Sequence, residues 1–128
     1  MNALLVGLNG HVVALQPHTG DMLWKVDLCG QGLVTFAVND SLVVASGTND
    51  VLVGIDRSTG QERFRVKTSS FGKATVLLEH DRVFVVKAGV LECFGLDGQQ
   101  RWREGFAGMG NRSVSLALGH QVVLADDT

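Results

Sequence analysis

Four histidines, thirteen carboxylates and two cysteines are the residues of this chain that could do acid–base, metal or thiol chemistry. Their spacing decides whether they can act together. His80 and His120 follow similar strand patterns and are read as the same turn on two successive units, while His11 and His18 stand apart. A metal site needs side chains that converge on one ion, and equivalent turns on neighbouring units diverge, so the histidines are taken as turn residues. Glu62, Glu79, Asp81, Glu92, Glu104, Asp126 and Asp127 could supply an acid–base pair. Most fall in turns or at alternating strand positions, where a carboxylate is ordinarily solvated. Gly108-Met-Gly-Asn-Arg-Ser113 has the glycine density of a phosphate loop. That loop works through the amides of a following helix, and here a strand pattern follows at 114–118. Cys29 and Cys93 have no metal or redox spacing and sit in apolar surroundings, so both are expected to be buried free thiols. The residues thus imply no catalytic set, metal or cofactor.

The elements that carry these side chains repeat. Three segments align, 11–24, 51–64 and 90–102, and place Gly20, Gly60 and Gly98 at intervals of 40 and 38 residues. An aromatic residue, Trp24, Phe64 or Trp102, stands four places after each glycine. A second block, 39–44, 80–85 and 119–124, recurs at about the same interval. Within one period the runs 34–38, 42–45, 51–55 and 63–66 are short, rich in β-branched residues and bounded by Gly, Asn, Asp or Ser, which is the pattern of strands. Thr-Gly and Asp-Gly supply the positive φ of a tight hairpin, and Gly60 is expected there. Each period therefore yields four strands, a to d, and no stretch has helical periodicity. Strands this short bury their faces only against neighbouring sheets, and a four-stranded unit of about 40 residues has the size of a propeller blade.

Composition narrows the function classes. The chain is 45% hydrophobic and 19% charged, enough apolar content for a core. Its net charge is −2, with Lys and Arg scattered, whereas nucleic-acid binders present a basic stripe; nucleic acid is not expected as a partner. No apolar run approaches the ~18 residues of a membrane-spanning helix, and the N-terminus lacks the basic start of a secretory signal. A cytoplasmic location follows as an expectation.

The string Val-x-Ala-Leu-x-x-x-Thr-Gly-x-x-x-Trp at 12–24 resembles the quinoprotein-type propeller repeat, found in pyrroloquinoline-quinone dehydrogenases and in non-enzymatic relatives of the BamB kind. The likeness is clear in the first repeat, fair in the second and looser in the third, whose c–d turn is about two residues shorter. The resemblance implies that Trp24, Phe64 and Trp102 pack between neighbouring blades. The quinone enzymes also use a calcium ion and a catalytic aspartate in a complete ring, and no residues here match that set.

The chain is therefore expected to be an all-β partial propeller of about three and a quarter blades. The repeats fall at 1–32, 33–72 and 73–110, with the start of a further blade at 111–128. Such an arc leaves apolar flanks uncovered, which isologous pairing of two copies into a six-bladed ring would cover. One of the two b strands at each junction is then surplus. The rim formed by the d–a and b–c loops is the expected place for a partner, with Lys73, Asn111 and Arg112 as its polar candidates. A non-catalytic protein-binding scaffold fits these features best. The alternatives are a quinone-dependent oxidoreductase or ligand-sensing fragment, and a glycan-binding propeller.

Overall fold

Short strands and glycine-rich turns leave the backbone one economical course, in which each strand folds back on its predecessor. The computed structural model describes residues 3–109, 114–119 and 121–123. The strands are β1 (Leu4–Leu8), β2 (His11–Leu15), β3 (Met22–Asp27), β4 (Thr35–Val38), β5 (Leu42–Ser46), β6 (Val51–Asp56) and β7 (Glu62–Lys67). They continue as β8 (Thr75–Glu79), β9 (Arg82–Lys87), β10 (Val90–Gly95), β11 (Gln100–Glu104), β12 (Leu116–Leu118) and β13 (Gln121–Val123). All pairings are antiparallel between sequence neighbours, giving sheets β1–β2–β3, β4–β5–β6–β7, β8–β9–β10–β11 and β12–β13. No helix occurs among the described residues. The chain is a partial β-propeller: the first sheet supplies strands b to d, the next two are complete blades, and the last is an a–b hairpin.

Turn chemistry explains where strands stop. Asn39 Oδ1 accepts from the amides of Ser41 (2.9 Å) and Leu42 (2.7 Å), which closes the a–b turn of the second sheet. In its c–d turn Asp56 Oδ1 accepts from Ser58 (3.0 Å) and Thr59 (3.1 Å), and the Gly60 amide donates to the Asp56 carbonyl at 2.9 Å. Gly60 has φ 79°. The Arg63 guanidinium, 3.0 Å from Asp56, together with these amides holds the Asp56 carboxyl below its ordinary range.

Strand register corrects two details of the sequence alignment and agrees with a third. Gly54 pairs with Phe64 across nine residues, 55–63, and Cys93 with Trp102 across eight, 94–101. The third c–d turn is thus shorter by one residue, not two. Val43 pairs with Ile55 and Val83 with Phe94, so Val83 is the counterpart of Val43, where the sequence blocks had set it against Leu42. A one-residue slip of this kind would turn every side chain of the strand to the other face. Finally, Glu79 pairs with Arg82 and Leu118 with Gln121. The counterpart of His80 (φ 48°) is therefore Gly119 (φ 59°), as the recurring blocks 80–85 and 119–124 set them.

Alternation along β5 and β6 builds two cores. Val43, Ala45, Val53 and Ile55 meet Val12, Ala14, Trp24 and Val26 of the first sheet. Leu42, Val44, Leu52 and Phe64 meet Val76, Leu78, Val83, Val85 and Phe94 of the third. The middle sheet is buried on both faces, which is why β5 and β6 read as continuous apolar runs.

Candidate functional site

The aromatic after each c–d turn needs room on two sides. On its own sheet it lies opposite a small residue of strand c: Trp24 pairs with Ala14, Phe64 with Gly54 and Trp102 with Cys93. A Cβ on Gly54 would come within 2.2 Å of the Phe64 ring. On its far side the aromatic meets the turn glycine of the next blade. A Cβ on Gly60 would lie 2.5 Å from Trp24, and one on Gly98 would lie 2.8 Å from Phe64. The Trp24 indole Nε1 also donates to the Arg57 carbonyl at 3.0 Å. These glycines thus serve two purposes, the positive φ of the turn and a flat seat for the preceding blade.

Trp24 and Phe64 are buried, at 9% and 8% exposure. Trp102 departs from the expectation of burial: it is 41% exposed and tilts toward Phe84 at 6.0 Å between ring centroids. The physical reason is that no c–d turn lies against it among the described residues. At the opposite end, nothing comes within 4 Å of a Cβ built on Gly20.

One rim gathers the b–c turns and d–a linkers. The Leu28 amide donates to Gly10 O (2.8 Å) and the Thr68 amide to Asp50 O (2.8 Å), the same tie in successive sheets. Thr48 Oγ1 reaches Gln31 O (2.9 Å), Asn49 Nδ2 reaches Leu28 O (2.9 Å), and the Gly72 amide donates to Thr48 O (2.7 Å). Two charged side chains are buried here, Lys87 and Glu92, each 2% exposed. Glu92 accepts from the Ser69 amide (2.8 Å), Ser69 Oγ (2.9 Å) and Gln100 Nε2. The Lys87 ammonium donates to the Asn49 carbonyl. Burial pushes its pKa down to about 8, against the pull of the Asp50 and Glu92 carboxylates. Both charges act as ties between the second and third sheets.

Of the rim candidates, Lys73 is exposed on the second d–a linker, and Asn111 and Arg112 lie outside the described residues. The sequence reading missed Phe71 and Met109, which are 66% and 81% exposed. Counted from the docking aromatic of its own sheet, each stands seven places on, as Gln31 does after Trp24. The signal was available: these residues precede Gly32, Gly72 and Gly110 in consecutive linkers.

Among the described residues the candidate acid–base and metal-ligating side chains are not brought together, and His120, Asp126 and Asp127 lie outside those residues. His80 pairs with its neighbour Glu79 (3.0 Å), His11 with Asp27 (3.8 Å), and Glu62 with Arg65. Among the described residues no group of three or more His, Cys, Asp or Glu could hold a metal ion. Cys93 is a buried free thiol, but Cys29 is exposed, contrary to expectation, because its linker position (φ 61°) turns it out of the core.

No curated protein matches the chain in sequence. BamB from Moraxella catarrhalis is similar in structure, with a TM-score of 0.72 at 21% identity, over 97% of this chain and 38% of that one. The computationally designed Ika8 protein gives 0.79 at 19% identity, over 99% of this chain and 41% of that one. The designed Ika4 protein gives 0.78 at 20% identity, over 99% and 80%. The chain thus spans about two-fifths of the Ika8 and BamB chains, and identities this low speak for the fold alone. The family described as outer membrane protein assembly factor BamB matches residues 8–128. With nearly the whole repeat array inside that match, the chain belongs to the BamB family of β-propeller proteins.

Proposed function

We propose that the chain is a non-catalytic protein-binding module whose working surface is the linker rim, with Phe71 and Met109 as apolar anchors. The observation that carries this reading is their exposure at one repeated position. Large apolar side chains held out on a hydrogen-bonded rim are suited to fill pockets on a partner, where few residues supply most of the binding energy. The matched family, that of an outer membrane protein assembly factor, supports the same reading. A glycan platform would repeat aromatics, and here the repeated position holds Gln31, Phe71 and Met109.

The test is quantitative capture from the source cell's extract with the parent chain and with a Phe71→Ser/Met109→Ser pair of equal thermal stability. A protein retained by the parent and bound about tenfold more weakly by the pair supports the rim; equal capture by both overturns it. Titration with pyrroloquinoline quinone and calcium is expected to leave the spectrum unchanged. A one-to-one absorbance change would overturn the non-catalytic reading.

A further inference from the structure

The two outer faces of the arc match each other as the two sides of an inter-blade junction. On the first sheet, Leu4 pairs with Leu15 and Val6 with Val13. By register, Leu4 and Leu15 are the counterparts of Val43 and Ile55 in the second sheet and of Val83 and Phe94 in the third. Those four are 0–2% exposed beneath the preceding blade, whereas Leu4 is 53% exposed and Leu23 on the same face 55%. Beside them Gly20 presents the open turn. On the third sheet, Phe84 and Trp102 are the counterparts of Val44 and Phe64, which cover the next blade at the internal junction. An open cleft of about 630 Å3 lies beside Phe84, between the Glu79–Arg82 turn and Leu118 of β12.

We infer that a second copy of this chain seats its first sheet on Trp102, with the indole lying over Gly20 of that copy as Trp24 lies over Gly60. In that register Pro17 occupies the place of Arg57, so the Trp102 Nε1 donates to the Pro17 carbonyl. A proline carbonyl accepts as well as any other. The contact is carried by β2 and β3, so it does not depend on whether β1 or β13 fills the b position. Made twice about a two-fold axis, it gives the isologous pairing expected from the sequence. The two faces differ, so each contact by itself is heterologous, and two copies close a ring only by making it twice.

Light scattering at micromolar concentration is expected to give a whole multiple of 13.7 kDa. Trp102→Ala should weaken association at least about 30-fold, and Trp102→Phe should restore it, because Phe64 fills the same place one blade earlier. Gly20→Asn should also give a monomer. Asparagine tolerates the positive φ of that turn, but its side chain occupies the seat of the indole. Circular dichroism and melting temperature establish that each variant folds. Mixing Trp102→Ala with Gly20→Asn should then yield a one-to-one complex, since each retains the half the other lacks. Open polymers abolished by either substitution carry the same contact. A parent mass of 13.7 kDa, assemblies indifferent to both substitutions, or no complex on mixing would overturn it.

Discussion

At the end of β9 the Lys87 side chain runs inward between two sheets and delivers its ammonium to the Asn49 carbonyl. A folded pKa of about 8 against an ordinary 10.5 means that the folded chain releases this proton earlier than the unfolded one. Below pH 8 both states are protonated and the burial penalty is fully present, on the order of 3 kcal/mol. Between pH 8 and 10.5 the unfolded state binds more protons, so folding stability rises with pH. Cys93 has the opposite sign, because burial pushes its thiol up from 9.0 and stability is lost as pH climbs past that value. Comparison with Lys87→Met cancels the cysteine. From pH 7.5 to 10, the urea-unfolding free energy of the parent should gain about 1–3 kcal/mol on that variant. A pH-independent difference would mean that Lys87 is not the group responsible. Sequence reading passed over this lysine because nothing in its neighbours signals burial; it is buried by Asn49, 38 residues earlier.

Two turns of one conformation have different surroundings. Gly20 and Gly60 share φ 77° and 79°, so an alanine pays the same left-handed penalty at either, about 1–2 kcal/mol. Only at Gly60 does the new methyl meet the Trp24 indole, at 2.5 Å. Overpacking of that kind costs a further ~1–3 kcal/mol. Measured in a Trp102→Ala chain, where no second copy covers Gly20, Gly60→Ala should therefore destabilise more than Gly20→Ala by that amount. Equal effects would show that the turn glycines serve backbone geometry alone. The Thr-Gly repeat and its following aromatic made the turn legible, and the small residue opposite each aromatic, Ala14, Gly54 or Cys93, was equally present in the sequence. What joins them is the strand pairing.

Across the molecule, stability should fall away from the middle sheet. Every residue of β5 is buried, and both faces of β5 and β6 contribute to a core. The β1 strand is half open and β11 is exposed along its length. Native-state hydrogen exchange should find the slowest amides in β5 and β6, with β1 and β11 faster by about a hundredfold or more. Comparable protection in β11 and β5 would instead require a cover over Trp102 under the conditions used. The sequence by itself determined the repeat, the strand-and-turn order and the propeller class. All of these rest on local physics: period-two burial, turn residues and a recurring interval. Only the tertiary structure decided which residue of each strand faces which neighbour, since a slip of one position leaves the pattern intact. It also separated Trp102 from Trp24, which have like sequence contexts. Exposure depends on whether another sheet lies alongside, and that is set by contacts between blades.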